Sequence, residues 1–183
     1  KYLDLIPERK EKIRRHIEWY ASLEVRPDFV CFGGSGTLVT QTPQIVRDVI
    51  LPVLKYGIEL SHKYGFPTHV HSCGPEKELV KMMTEETGLD IIDPLEIPPM
   101  GDCNLAELKR LYGKKIVLKG NLHTTNVMLR GSPEDVIAAS RKAIDDAAEG
   151  GRFILSSGDQ CGRDTPDENL HAMVETARTY GRY

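Results

Sequence analysis

The residues best placed to do chemistry are His69, His71 and Cys73, in the stretch Pro67-Thr68-His69-Val70-His71-Ser72-Cys73-Gly74. The stretch reads as a short strand running into a loop. Side chains alternate faces along a strand, so these three share one face. A further thiol, Cys161, follows a second strand-like run, Phe153-Ile154-Leu155-Ser156-Ser157. One imidazole and two thiolates meeting at a point make a zinc site whose fourth position stays open. Zinc there would take a substrate thiol into the open position and lower its pKa, giving a thiolate nucleophile at neutral pH. Spacing alone equally allows a buried histidine and two inert core thiols, because cysteine is often simply buried.

Other residues compete for roles at the same place. His69 could replace His71 as ligand but lies deeper along the strand. Asp93 and Glu96 follow a third strand-like run and are candidates for a fourth ligand, or for orienting the ligand imidazole. The plainer reading of both is a solvated loop, with Asp93 bonded to backbone ahead of Pro94. Asn121 and His123 follow the fourth run and are expected to line a pocket on that rim. Gly34 and Ser35, within Gly33-Gly34-Ser35-Gly36, could cradle an anion or part of a cofactor, although a glycine-rich turn needs no ligand. Cys31 reads as core and Cys103 as a helix-entry loop with Asp102 or Asn104 as cap. Met82, Met83, Met128 and Met173 read as helix packing.

The elements that must position these residues follow a repeated grammar. A charged helix is expected from Glu8 to Leu23, with Ile13, Ile17, Trp19 and Tyr20 mostly on one side. Short apolar runs at Phe29–Phe32, Pro67–Ser72, Asp90–Asp93, Lys115–Lys119 and Phe153–Ser157 then alternate with helices. Those helices open at Thr42-Pro43, near Glu76, at Leu105, at Ser132-Pro133 and at Thr165-Pro166. Ser132-Pro133-Glu134-Asp135 and Thr165-Pro166-Asp167-Glu168 each place a hydroxyl at the N-cap, proline at N1 and an acid at N3. Gly65, Gly88, Gly113 and Gly150 fall where helices should end. Short apolar strands alternating with helices imply a parallel α/β architecture. A (β/α)8 barrel takes eight strands and about 250 residues. A doubly wound sheet fits five strands but lacks its Gly-x-Gly-x-x-Gly turn.

The sequence has 183 residues, enough for one domain with a core, and a net charge of -3. No basic run is present, which argues against a nucleic-acid partner. No apolar stretch approaches the ~20 residues that span a bilayer, and no signal-peptide pattern opens the sequence. Four cysteines are too few for a disulfide scaffold, so reduced thiols and a cytoplasmic location are expected.

Taken together, His71-Ser72-Cys73-Gly74, Lys119-Gly120-Asn121-Leu122, Gly131-Ser132-Pro133-Glu134-Asp135-Val136 and Cys161 with Thr165-Pro166-Asp167-Glu168-Asn169-Leu170 resemble the uroporphyrinogen decarboxylase superfamily. The resemblance runs from about Asp28 to Tyr180. It implies a (β/α)8 TIM barrel, of which residues 1–183 form a single domain holding the C-terminal five βα units as a fragment of a longer chain. Decarboxylases of that superfamily act on porphyrinogens without metal and grip their substrate with an N-terminal arginine-rich segment that has no counterpart here. The corrinoid-dependent methyltransferase branch carries a His-x-Cys pair and a distant cysteine as zinc ligands, which correspond to His71, Cys73 and Cys161. The resemblance therefore implies a zinc-dependent methyltransferase moving a methyl group between a methylcobamide, on a separate corrinoid protein, and an acceptor activated on zinc. A small thiol or tetrahydrofolate is the implied acceptor. The alternatives are a cofactor-free uroporphyrinogen decarboxylase and a non-catalytic barrel that binds a corrinoid or a partner. Exposed sheet edges in a five-strand piece also suggest a homo-oligomer.

Overall fold

The computed structural model describes residues 2–34 and 36–181. Five strands, β1 (Val30–Gly33), β2 (Thr68–His71), β3 (Ile91–Asp93), β4 (Val117–Leu122) and β5 (Phe153–Ser157), pair in parallel in their sequence order. Parallel neighbours taken in order require every crossover to run the same way. Right-handed crossovers then put all the helices on one face. A doubly wound sheet reverses its strand order at a switch point; this one never does. The architecture is an arc of a (β/α)8 barrel.

The helices of the arc are α1 (Ile6–Ser22), α2 (Thr37–Thr40), α3 (Pro43–Ile45), α4 (Leu51–Lys63), α5 (Lys77–Glu86), α6 (Leu105–Tyr112), α7 (Pro133–Ala147) and α8 (Asp167–Tyr180). A π-helical turn, Val46–Ile50, joins α3 to α4. None of these helices is long and apolar enough to cross a membrane.

Register explains how the two faces of the sheet divide. Phe32, Val70, Ile92, Leu118 and Phe153 form one row across the strands. They face the helices and join Leu79, Met82, Met83, Leu108 and Met128 in the main core. The alternate residues point to the inner, concave face, and here the row is polar. Gly33 pairs with His71 and His71 with Asp93, while Lys119 pairs with Ile154 on β5.

Several expectations shift on this scaffold. Cys31 is exposed, not core, because it points to the inner face. Trp19 is 55% exposed, while Ile13, Ile17, Tyr20 and Ala21 of its helix pack in the small cluster with Val30 and Phe66. β4 continues past Lys119 to Leu122, since Asn121 and Leu122 still pair with Ser156 and Ser157. Ser132 forms the expected capping box with Asp135, and Thr42 accepts from Ile45 N at 3.3 Å. Thr165 does not cap α8. The N-cap is Pro166, whose extended backbone starts the helix one residue later, and the Thr165 hydroxyl is buried without a partner. Asn169 does the anchoring instead, donating to the Met128 and Gly131 carbonyls at 2.9 and 2.8 Å.

Candidate metal centre

The C-terminal ends of β2, β3, β4 and β5 converge on the inner rim, the end of a parallel barrel where active sites form. β2 ends at His71, and the loop after it brings Cys73 back over the rim. β5 ends at Ser157, and its loop carries Asp159. Ligand atoms of His71, Cys73 and Asp159 all lie within 4.8 Å of one another, the one such group among the described residues. His71 and Asp159 line a cavity of about 450 Å³ together with Asp93, Lys119, Ser156 and Gln160.

Asp93 organises the β2 side. Its Oδ1 accepts from His69 Nε2 at 2.8 Å and from His71 Nδ1 at 3.0 Å, and its Oδ2 accepts from Lys119 Nζ at 2.5 Å. With its Nδ1 hydrogen held by a carboxylate, His71 presents the Nε2 lone pair, and that atom lies 3.6 Å from Asp159 Oδ1. This carboxylate–imidazole arrangement is the usual support behind a metal-ligating histidine. Burial pushes the Asp93 carboxyl up, but the hydrogen bonds from His69 and Lys119 outweigh it and hold the pKa at about 2. Burial likewise pulls the His69 imidazolium down, yet Asp93, with Cys31 beside it, carries the pKa up to about 9. His69 is thus a cation tied to Asp93, stacked edge-on to Phe29 at 5.6 Å.

The loop that carries Cys73 is tightly built. Ser72 N donates to the Asp93 carbonyl at 3.0 Å, Ser72 Oγ accepts from Thr37 N at 3.2 Å, and Gly74 N donates to Glu96 Oε2 at 2.5 Å. Gly33 supports this arm from β1: its φ is +98°, and a Cβ there would stand 2.3 Å from the His71 carbonyl oxygen. One imidazole nitrogen, one sulphur and one carboxylate oxygen form a donor set that suits zinc.

The expected residues separate into those brought together and those held apart. His71 and Cys73 stand close to each other. Cys161 lies two residues beyond Asp159, is half-buried against the core and stands outside the group. Glu96 is buried, with a carboxylate oxygen committed to the Gly74 amide, also outside the group. Asn121 donates to the Leu95 carbonyl at 3.0 Å, and His123 caps the π-helical turn Thr124–Leu129. Both line a different cavity, between α6 and α7. Gly34 lines a third cavity with Arg9, Thr37 and Gln41, and Ser35 lies outside the described residues. Sequence reading missed Asp159 and Lys119. Asp159 sits in Gly158-Asp159-Gln160-Cys161-Gly162, which reads as a turn, and its position directly after a strand end was the available signal.

The chain is 30% identical to the methylcobamide:CoM methyltransferase MtbA of Methanosarcina mazei over 132 residues, covering 71% of this chain and 35% of that protein. It is 28% identical to the Methanosarcina acetivorans protein of the same name over the same length. It therefore spans about a third of those relatives. A solved structure of a methyltransferase from Methanosarcina mazei superposes with a TM-score of 0.73 at 18% identity, over 92% of this chain and 48% of that one, which establishes the fold. The sequence matches the uroporphyrinogen decarboxylase (URO-D) family over residues 31–180, and to that family the chain belongs.

Proposed function

We propose that the chain carries the zinc-binding, thiol-activating part of a corrinoid-linked methyltransferase. The observation that carries the reading is the convergence of His71, Cys73 and Asp159, with Asp93 behind His71. His71 and Cys73 would hold the metal, with a third donor from the loop Gly158–Gly162. Asp159 stands nearest in this conformation, and Cys161, the donor implied by the family resemblance, follows on the same loop. Bound zinc supplies Lewis acidity that makes an acceptor thiol a thiolate at neutral pH, and the methyl group comes from a methylcobamide on a separate corrinoid protein.

The side chains around the cavity do the positioning. Asp93 fixes the His71 tautomer so that Nε2 faces the incoming metal. Lys119 keeps Asp93 ionised and leaves it free to hold both histidines. Ser156 and Gln160 offer hydrogen bonds to the polar end of a small acceptor in the cavity. The test is methyl transfer from free methylcobalamin to 2-mercaptoethanol, followed by the absorbance of the demethylated corrinoid. A zinc-dependent rate lost in Cys73→Ser supports the reading. A rate that persists in that variant or without zinc contradicts it, and a zinc-free protein points to the family's metal-free decarboxylase chemistry.

A further inference from the structure

Two loops at the rim, residues 72–76 after β2 and 94–96 after β3, hold each other through two buried carboxyl groups. Glu96, on the second loop, accepts from Gly74 N on the first at 2.5 Å. Glu76, on the first, accepts from Leu95 N on the second at 2.7 Å. Each loop supplies the acceptor for the other's amide, and Ser72 N adds a third tie to the Asp93 carbonyl at 3.0 Å. Gly101 packs over both loops: a Cβ there would stand 2.3 Å from the Glu96 carbonyl oxygen and 2.6 Å from that of Gly74. Only Gly74 and Pro75 separate Glu76 from Cys73.

Glu76 is fully buried, and its second oxygen, Oε1, has no partner. The groups that face it are the acids Asp93, Glu96 and Asp102, with the Cys103 thiol beside them. Lys77, the next residue on its own helix, is engaged with Glu107 at 2.9 Å. An ionised carboxylate left unpaired at that depth is costly, so the neutral acid is the form that fits. Burial pushes the carboxyl well above its usual range, opposed by the Leu95 amide and helped by the three acids. Leu95 itself has a φ of +61°, left-handed backbone that a leucine rarely adopts. Such backbone persists where its surroundings hold it, and Glu76 holds this one by the amide. An apolar side chain would fill the same space without a buried polar group, so what the carboxyl adds is the acceptor.

We propose that Glu76 is a positioning residue for Cys73, setting the thiol against His71 by locking the two loops together. The inference rests on the reading of His71 and Cys73 as a metal centre. Because Glu76 works as a neutral acceptor, an amide should replace it and an apolar side chain should not.

The test measures cobalt binding to the whole chain, with cobalt in place of zinc because its absorption reports sulphur in the coordination shell. Glu76→Gln keeps an acceptor for Leu95 N, and its affinity and its absorption per bound cobalt should match the wild type. Glu76→Leu keeps the bulk and removes the acceptor. Its affinity should fall roughly 10–100-fold, the range for residues that orient a metal ligand, and its absorption per bound cobalt should fall as the thiol is displaced. Glu76→Met, which bends to fit, gives the same readout where leucine overpacks. A merely structural role would lower the unfolding midpoint and the amount of folded chain, but would leave the absorption per bound cobalt unchanged. Two results would overturn the inference: an unchanged absorption per bound cobalt in the apolar variants, or a Glu76→Gln chain as impaired as they are. A wild-type chain that binds no cobalt through sulphur would instead overturn the metal centre, and this inference with it.

Discussion

The two loops that meet at the rim are built differently. The β2 arm, His71 to Gly74, is braced on every side: Asp93 holds the imidazole, Thr37 and Asp93 hold Ser72, and Glu96 holds Gly74. The β5 arm, Gly158 to Gly162, is tied mainly through backbone. Gly158 N donates to the Leu122 carbonyl at 2.6 Å, Ser157 Oγ to the Asp159 carbonyl at 2.7 Å, and Thr165 N to the Gly162 carbonyl at 3.1 Å. Asp159 faces His71 Nε2 at 3.6 Å, and Cys161 packs against the core. A site needs one fixed half to set geometry and can take its last donor from a more adaptable half.

Breaking the braced arm should cost most. Cys73→Ser should lower zinc affinity on the order of a thousandfold, since each donor carries a large share of a binding energy of ~10–16 kcal/mol in structural sites. Competition with a chromophoric chelator measures this. Asp159→Asn and Cys161→Ser, on the looser arm, should each cost less than Cys73→Ser, and equal costs would erase the distinction between the arms.

Next in size is the support behind His71. Asp93→Asn keeps the shape but removes the charge that orients both histidines, and a loss of roughly 10–100-fold in zinc affinity is expected. An unchanged affinity would show that His71 needs no brace. Below that stands Gly33→Ala, which forces a side chain into left-handed backbone and against the His71 carbonyl. It should destabilise the fold by roughly 1–3 kcal/mol, read as a fall in unfolding midpoint, with zinc affinity falling in parallel because His71 must move.

The smallest effect sharpens the base of the braced arm. Glu76 is fully buried, accepts from Leu95 N at 2.7 Å, and has its second oxygen unpaired. Burial, opposed by that backbone bond and helped by nearby acids, raises its pKa well above 4.5. The folded value thus exceeds the unfolded one. Its stabilising contribution is complete below about 4.5 and is lost as pH rises through the folded value, at up to about 1.4 kcal/mol per pH unit. Glu76→Gln should flatten that part of the stability–pH curve and raise stability at neutral pH. An unchanged curve would place the Glu76 titration outside this window.

Much of this was legible in the sequence, and the exceptions share a cause. Helix starts at Thr42 and Ser132, the helix Leu105–Tyr112 and the strand Phe153–Ser157 follow from caps and apolar runs, which are local signals. β4 was read short because Lys119-Gly120-Asn121 looks like a loop, and only pairing with β5 keeps it extended. Cys31 was read as core because apolar neighbours do not reveal which face of a strand is open. Alternation along β2 put His69 and His71 on one face, whereas Cys73 lies past the strand's end, on the loop that follows. Asp159 was not legible, because its place beside His71 and Cys73 depends on the approach of two loops some ninety residues apart.

The measurement to make is zinc content by elemental analysis together with zinc X-ray absorption, on the wild-type chain and on Cys73→Ser. About one zinc per chain, with sulphur in its coordination shell and both lost in Cys73→Ser, is the expected result. A reduced, zinc-supplied chain that retains no metal, or a zinc whose shell contains no sulphur, would contradict a metal centre at His71 and Cys73.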